Sequence, residues 1–166
     1  MMDALAWIEQ TRLSVFVRED FYAYFVLLIG HAWGMALLVG GGIAIGLRVL
    51  GVASGARLEW FRVFVPVMWL GASLAVVSGL GLLVGYPAKA LTNWIFALKF
   101  ACLIGAALLV RTIARTAFPA AARGEAVPPG ARWTAAASLL LWLGGVASGK
   151  LLLYTNTMLL TTDLEW

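Results

Sequence analysis

Charge is what this sequence has least of. Asp, Glu, Lys and Arg make up 12% of the residues, against 63% hydrophobic and a mean hydropathy of +0.93. A soluble fold of 166 residues has too little interior to hide that much apolar surface, so a soluble domain is excluded. Histidine and cysteine occur once each, as His31 and Cys102, so no intrachain disulfide forms and cysteine usage says nothing about the redox compartment. The long apolar stretches contain no acidic residue. That scarcity argues against a proton-driven pump, and the lack of a nucleophile beside a base argues against a hydrolase. The start, Met1 to Leu5, lacks the basic region and short apolar core of a cleavable signal, so the first span is expected to act as its own insertion signal.

What remains is apolar sequence in lengths that cross a bilayer, which takes about 20 residues per helix. The expected fold is all-α: a single transmembrane domain over residues 1–166, built as an integral membrane four-helix bundle with a short N-terminal interfacial helix. The spans are placed at about 21–50, 63–85, 94–114 and 133–155. Residues 2–17 set Leu5, Ile8, Leu13 and Phe16 among Asp3, Glu9, Gln10 and Arg12, with Trp7 beside them. That mixture suits a helix lying on the membrane surface. Residues 119–132, with Pro128-Pro129-Gly130, are expected to be a loop.

The net charge of +4 and pI near 9.6 do not mark a nucleic-acid binder, because the bases sit in short loops between apolar stretches. Arg48, Arg57, Arg62, Arg111, Arg115, Arg123 and Arg132 flank the first and third connections, whereas the second carries only Lys89. The arginine-rich loops are expected on the cytoplasmic side, in contact with anionic lipid. Both termini then face outward, periplasmic in a bacterial inner membrane.

Glycines recur through the spans, with Gly30 and Gly34, and Gly42 and Gly46, four apart. Such spacing lets membrane helices approach closely, and it also permits a groove for a flat cofactor.

The polar groups inside the spans are few. His31 lies about 13 Å below the outer surface at 1.5 Å per residue. It shares a helical stripe with Gly34, Leu38, Gly41 and Gly42, so it should point at neighbouring helices. An intramembrane ionisable group sits on a cofactor, a partner or a proton path, or it is neutral and bonded to a carbonyl or serine. Lys99 and Lys150 fall in the same outer half as His31, although each also lies near enough to a helix end to snorkel. Asn93, Tyr86, Tyr154 and Asn156 are placed around the same mouth. Met35 is one turn below His31 and Cys102 one turn below Lys99, where these soft ligands would make a copper site with imidazole or simply pack.

The run from Trp7 through Gly51, with Arg12-Leu13-Ser14, His31-Ala32-Trp33-Gly34 and Leu47-Arg48-Val49-Leu50-Gly51, resembles an uncharacterised family of small bacterial four-helix membrane proteins. Lys99 after Ile95-Phe96-Ala97-Leu98, and Ser138 to Trp142 leading to Gly149-Lys150, extend the likeness over most of the chain. Two positions depart from that family's pattern, with Gly46 where an acid is common and Lys150 where an arginine is common. More remotely, the histidine and lysine are similar to those of HemJ-type protoporphyrinogen oxidases and of copper resistance protein D-like membrane domains. The first resemblance implies His31 as a haem ligand and Lys99 as a partner for a propionate or substrate carboxylate.

The resulting expectation is a membrane redox component holding haem b in the outer half, with His31 on the iron and Lys99 or Lys150 neutralising propionates. Its work would be electron transfer between a quinone and a cytochrome, or oxidation of a porphyrinogen. The alternatives are a non-catalytic accessory subunit of a larger membrane complex and a copper-handling protein using His31, Met35 and Cys102. With one histidine per chain, either the iron is five-coordinate, or Lys99 is a weak second ligand, or a partner chain donates the missing group, and a homo-oligomer or larger complex is expected.

Overall fold

The computed structural model describes residues 2–155, which are mostly helical with no strand among them. Four helices are long and apolar enough to cross a membrane: α3 (Phe21–Leu50), α4 (Phe64–Gly85), α6 (Trp94–Ala122) and α7 (Pro129–Tyr154). Three short helices, α1 (Met2–Glu9), α2 (Arg12–Glu19) and α5 (Pro87–Leu91), lie at one end, and a 3₁₀ turn (Leu58–Val63) leads into α4 at the other. The chain is an all-α, multi-pass membrane bundle.

The helix ends follow local chemistry. Asp20 caps α3 by accepting the Ala23 N–H at 2.7 Å, and Asn93 caps α6 by accepting that of Ile95 at 2.9 Å. Gly51 ends α3 at φ +105, a left-handed turn that only glycine adopts without strain, and the Val52 N–H returns to the Leu47 carbonyl. Pro87 and Pro129 each occupy a first turn, where the missing N–H has no acceptor to satisfy.

Three boundaries differ from the sequence reading. Helix α6 runs on to Ala122 through Pro119, because Ala117, Phe118 and Ala120 are buried at the 3₁₀-turn end of the bundle and that packing outweighs one lost backbone bond. Helix α7 starts at Pro129 rather than at 133. The N-terminal segment is two helices, broken after Glu9, with the Thr11 hydroxyl accepting the Ser14 N–H to start the second.

The N-terminal pair also packs one face on the bundle. Leu5, Glu9, Ser14 and Val17 are buried against α4 and α5, while Trp7, Leu13 and Phe16 face outward. Glu9 accepts the Ala88 N–H at 3.4 Å, and Arg18 donates to the Glu9 carbonyl at 3.0 Å, the Ser14 hydroxyl at 3.4 Å and the Gly85 carbonyl at 3.5 Å. The segment is thereby tied to the end of α4.

Helix α3 is the centre of the bundle. It packs along α4 on one side and α7 on the other, α7 packs along α6, and α4 and α6 scarcely meet. The α3–α4 crossing is held open to backbone contact by two glycines. A Cβ on Gly34 would lie 2.5 Å from the Ala75 nitrogen, and one on Gly71 would lie 2.6 Å from the Leu38 nitrogen. On the α7 side, Gly42 gives the room occupied by the fully buried Trp142 indole. Spacing alone does not rank these glycines: Gly30 has only ordinary contacts at 3.7 Å, and Gly40 meets nothing.

Candidate functional site

The gap between α4 and α6 leaves one flank of α3 without a full-length neighbour, and His31 is on that helix, about ten residues below its start. Its ring leans toward α4. Nδ1 lies 3.0 Å from the Ala75 carbonyl oxygen, which only accepts, so Nδ1 carries a proton and donates it. The Ser78 hydroxyl spends its own hydrogen on the Leu74 carbonyl at 2.6 Å and offers Nδ1 a lone pair at 3.4 Å. One N–H is thus shared by two acceptors, and in the neutral form of the ring the lone pair is on Nε2. Among the described residues Nε2 has no hydrogen-bond partner. Gly79 makes room for the imidazole, since a Cβ there would come within 3.2 Å of Cε1.

Lys99 is half-buried on α6. Its alkyl chain lies along α7 at Gly149, with Cε 3.6 Å and Nζ 3.8 Å from where a Cβ would stand. No carboxylate pairs with it among the described residues.

The remaining candidates separate. Lys150 is exposed, because one residue of helical rotation turns it away while Gly149 faces Lys99. Met35 is half-buried against the core cluster. Cys102 packs on α7, its Sγ 3.3 Å from a Cβ position on Gly144. No group of three or more His, Cys, Asp or Glu suited to a metal ion is found among the described residues. Asn93 donates to the Thr155 hydroxyl at 2.6 Å, joining the start of α6 to the end of α7. Tyr154 is exposed, and Asn156 lies outside the described residues.

Two features go beyond the sequence reading, which marked only Tyr86 among their residues. The first is a polar cluster above His31: Tyr24, two turns up α3, meets Tyr86 edge-on at 6.2 Å, beside Arg18. Burial pushes the Tyr86 phenol above its ordinary range, Tyr24 adds to this, and Arg18 opposes it. The second is Trp142, whose buried indole N–H has no acceptor among the described residues. A Ser or Tyr in sequence is too common in membrane helices to signal such a cluster, and nothing in a lone Trp announces an unpaired N–H.

No protein-family profile matches the chain, and no curated protein or solved structure matches it either.

Proposed function

We propose that this protein is a membrane redox component that binds haem b in the outer half of the bundle, with His31 as an axial ligand and Lys99 as the partner of a haem carboxylate. The observation that carries the reading is the state of His31. Histidines that ligate metals donate their other ring N–H to a backbone carbonyl or carboxylate, which fixes the tautomer and aims the lone pair. His31 does this through Nδ1 and Ala75 and leaves Nε2 without a partner. Gly79 beside the ring and Gly149 under Lys99 supply the room that the imidazole and the lysine alkyl chain fill, and so seat both side chains. Haem, when bound, supplies one-electron chemistry; the chain holds its iron, balances its carboxylate charge and surrounds it with low dielectric.

The same site suits electron transfer between a quinone and a cytochrome, or oxidation of a porphyrinogen, as in the remote HemJ-type resemblance. Lys150, turned outward, contributes to neither within one chain. The copper alternative would draw on His31, Met35 and Cys102, of which Cys102 packs on α7 at Gly144. An accessory subunit needs only the Nδ1–Ala75 bond and gives no use to Nε2. With one histidine per chain, the iron would be five-coordinate, or would take its second ligand from Lys99 or from another chain, the last of which fits a homo-oligomer or larger complex. The arginine-bearing end is assigned to the cytoplasm of a bacterial inner membrane, with both termini periplasmic.

The test is an absorption spectrum of the detergent-purified protein before and after dithionite, repeated on His31→Ala. Reduced haem bands that vanish in the variant, with the protein still inserted and helical, are expected. Bands unchanged in His31→Ala remove it as ligand, and a haem-free wild type after expression with added haem precursor rejects the reading. Reporter fusions at Glu125 and the C-terminus should label opposite sides of the membrane.

A further inference from the structure

The gap between α4 and α6 also opens at the far end of the bundle, away from His31. There it forms a depression of about 710 Å³, within the size range of ligand sites. Val65, Pro66, Ala114 and Phe118 make its walls, and Arg62 and Glu59 stand at its rim. The rim charges are not equivalent. Glu59 is held by Arg57 at 3.1 Å, whereas Arg62 is exposed and has no ion pair or hydrogen bond among the described residues. Arg111 and Arg115 are exposed on the neighbouring stretch of α6.

The level of this depression in the membrane is marked by exposed tryptophans, Trp60 in the 3₁₀ turn and Trp133 in the first turns of α7, residues that settle at the headgroup boundary. A free guanidinium at that boundary, above an apolar cleft descending between two spans, matches one occupant in both charge and polarity. We infer that this cleft is a binding site for an anionic phospholipid, with Arg62 on the phosphate and an acyl chain against Val65, Ala114 and Phe118. A guanidinium forks onto phosphate oxygens with two N–H groups, and the field of the neighbouring arginines disfavours a zwitterionic headgroup by comparison. The site is independent of the chemistry at His31 and lies at the opposite end of the same gap.

The experiment is native mass spectrometry of the full-length protein released from mixed micelles containing equal phosphatidylglycerol and phosphatidylcholine of one acyl composition. Wild type is expected to retain phosphatidylglycerol selectively. Arg62→Gln should lower that retention by about five-fold, the loss of one phosphate contact at the membrane surface. Arg123→Gln, which removes the same charge from the loop at the same end, should leave retention unchanged, since Arg123 is engaged by Glu125. Ala114→Trp, which fills the cleft, should reduce retention of both lipids. Equal losses in Arg62→Gln and Arg123→Gln would show a diffuse charge effect and overturn the site. So would equal retention of the two lipids, or a dimer of this chain that Ala114→Trp dissociates.

Discussion

Replacing Gly34 with alanine should separate α3 from α4 and release His31 in one step. The added Cβ would stand 2.5 Å from the Ala75 nitrogen and 2.9 Å from the Gly71 oxygen, both backbone atoms that no rotamer change can move aside. Restoring ordinary contact at 3.4 Å requires the two helices to part by about 0.9 Å at this level. The Ala75 carbonyl belongs to the same residue and holds His31 Nδ1 at 3.0 Å, so that shift carries the pair past hydrogen-bonding range. Overpacking of this kind costs about 1–3 kcal/mol. The lost interhelical bond adds roughly 0.6 kcal/mol. Gly40→Ala and Gly30→Ala are the internal references, since a Cβ at Gly40 meets nothing and one at Gly30 makes only ordinary contacts. Both share the helix-propensity gain of about 0.5–1 kcal/mol that Gly34→Ala also receives. The difference between Gly34→Ala and either reference is therefore expected at about 1.5–3.5 kcal/mol. Reversible unfolding in mixed micelles with increasing dodecyl sulfate, followed by helical circular dichroism, measures it. Gly34→Ala as stable as Gly30→Ala would refute the close crossing, and a large loss in Gly30→Ala would show that spacing, rather than distance, governs this interface.

Trp142 and Gly42 should be coupled, because a Cβ on Gly42 would collide with the indole edge that carries Nε1. Gly42→Ala is expected to cost about 1–3 kcal/mol alone and much less in the Trp142→Phe background, a double-mutant cycle read by the same unfolding assay. Trp142→Phe by itself removes an unpaired buried N–H along with some packing and should change stability by under about 1.5 kcal/mol. Arg18→Ala should undock α1 and α2 from the end of α4 at a cost of about 1–2 kcal/mol, seen as faster proteolysis ahead of Asp20 with the four spans still helical. In the loop after α6, the hydrogen bond from Arg123 and the charge beside it hold the Glu125 carboxyl below its ordinary range. A depressed carboxyl contributes order above the ordinary glutamate value of about 4.3 and loses it as pH falls through the lower, folded value. Titrating the Glu125 carboxyl resonance should show that depression in wild type and not in Arg123→Gln.

The membrane class and the number of spans were readable because length and polarity decide them, and no competing fold hides runs such as 21–50. The ends were harder. Pro119 reads as a helix stop, but it removes only one backbone bond, and Phe118 beside it is buried from the 3₁₀-turn end, a contact that depends on residues 58–63. Pro128-Pro129-Gly130 reads as a loop, yet Pro129 falls where proline starts a helix. Glu9 was grouped with the solvent-facing residues of a surface helix. Its burial depends on Pro87 and Ala88 arriving over it, a meeting that no local pattern encodes.

The candidate site divides along the same line. That His31 faces a helix rather than lipid followed from its stripe, because periodicity is a property of one helix. That its partner is Ala75 did not follow, since the acceptor is a backbone carbonyl and every residue has one. Lys99 and Lys150 were equal in the sequence, both about five residues from an outer helix end. Depth is all that such counting supplies, and rotation about the helix axis then decides which side chain enters. In α7 the position facing Lys99 is Gly149, whose missing side chain makes room for the lysine's alkyl chain, and Lys150 is carried to the exposed face. A two-lysine site within one chain would need α7 turned by about 100°, and that rotation would pull Trp142 out of the space that Gly42 leaves for it. The packing of one buried tryptophan thus fixes the rotation of α7 that leaves Lys150 outside.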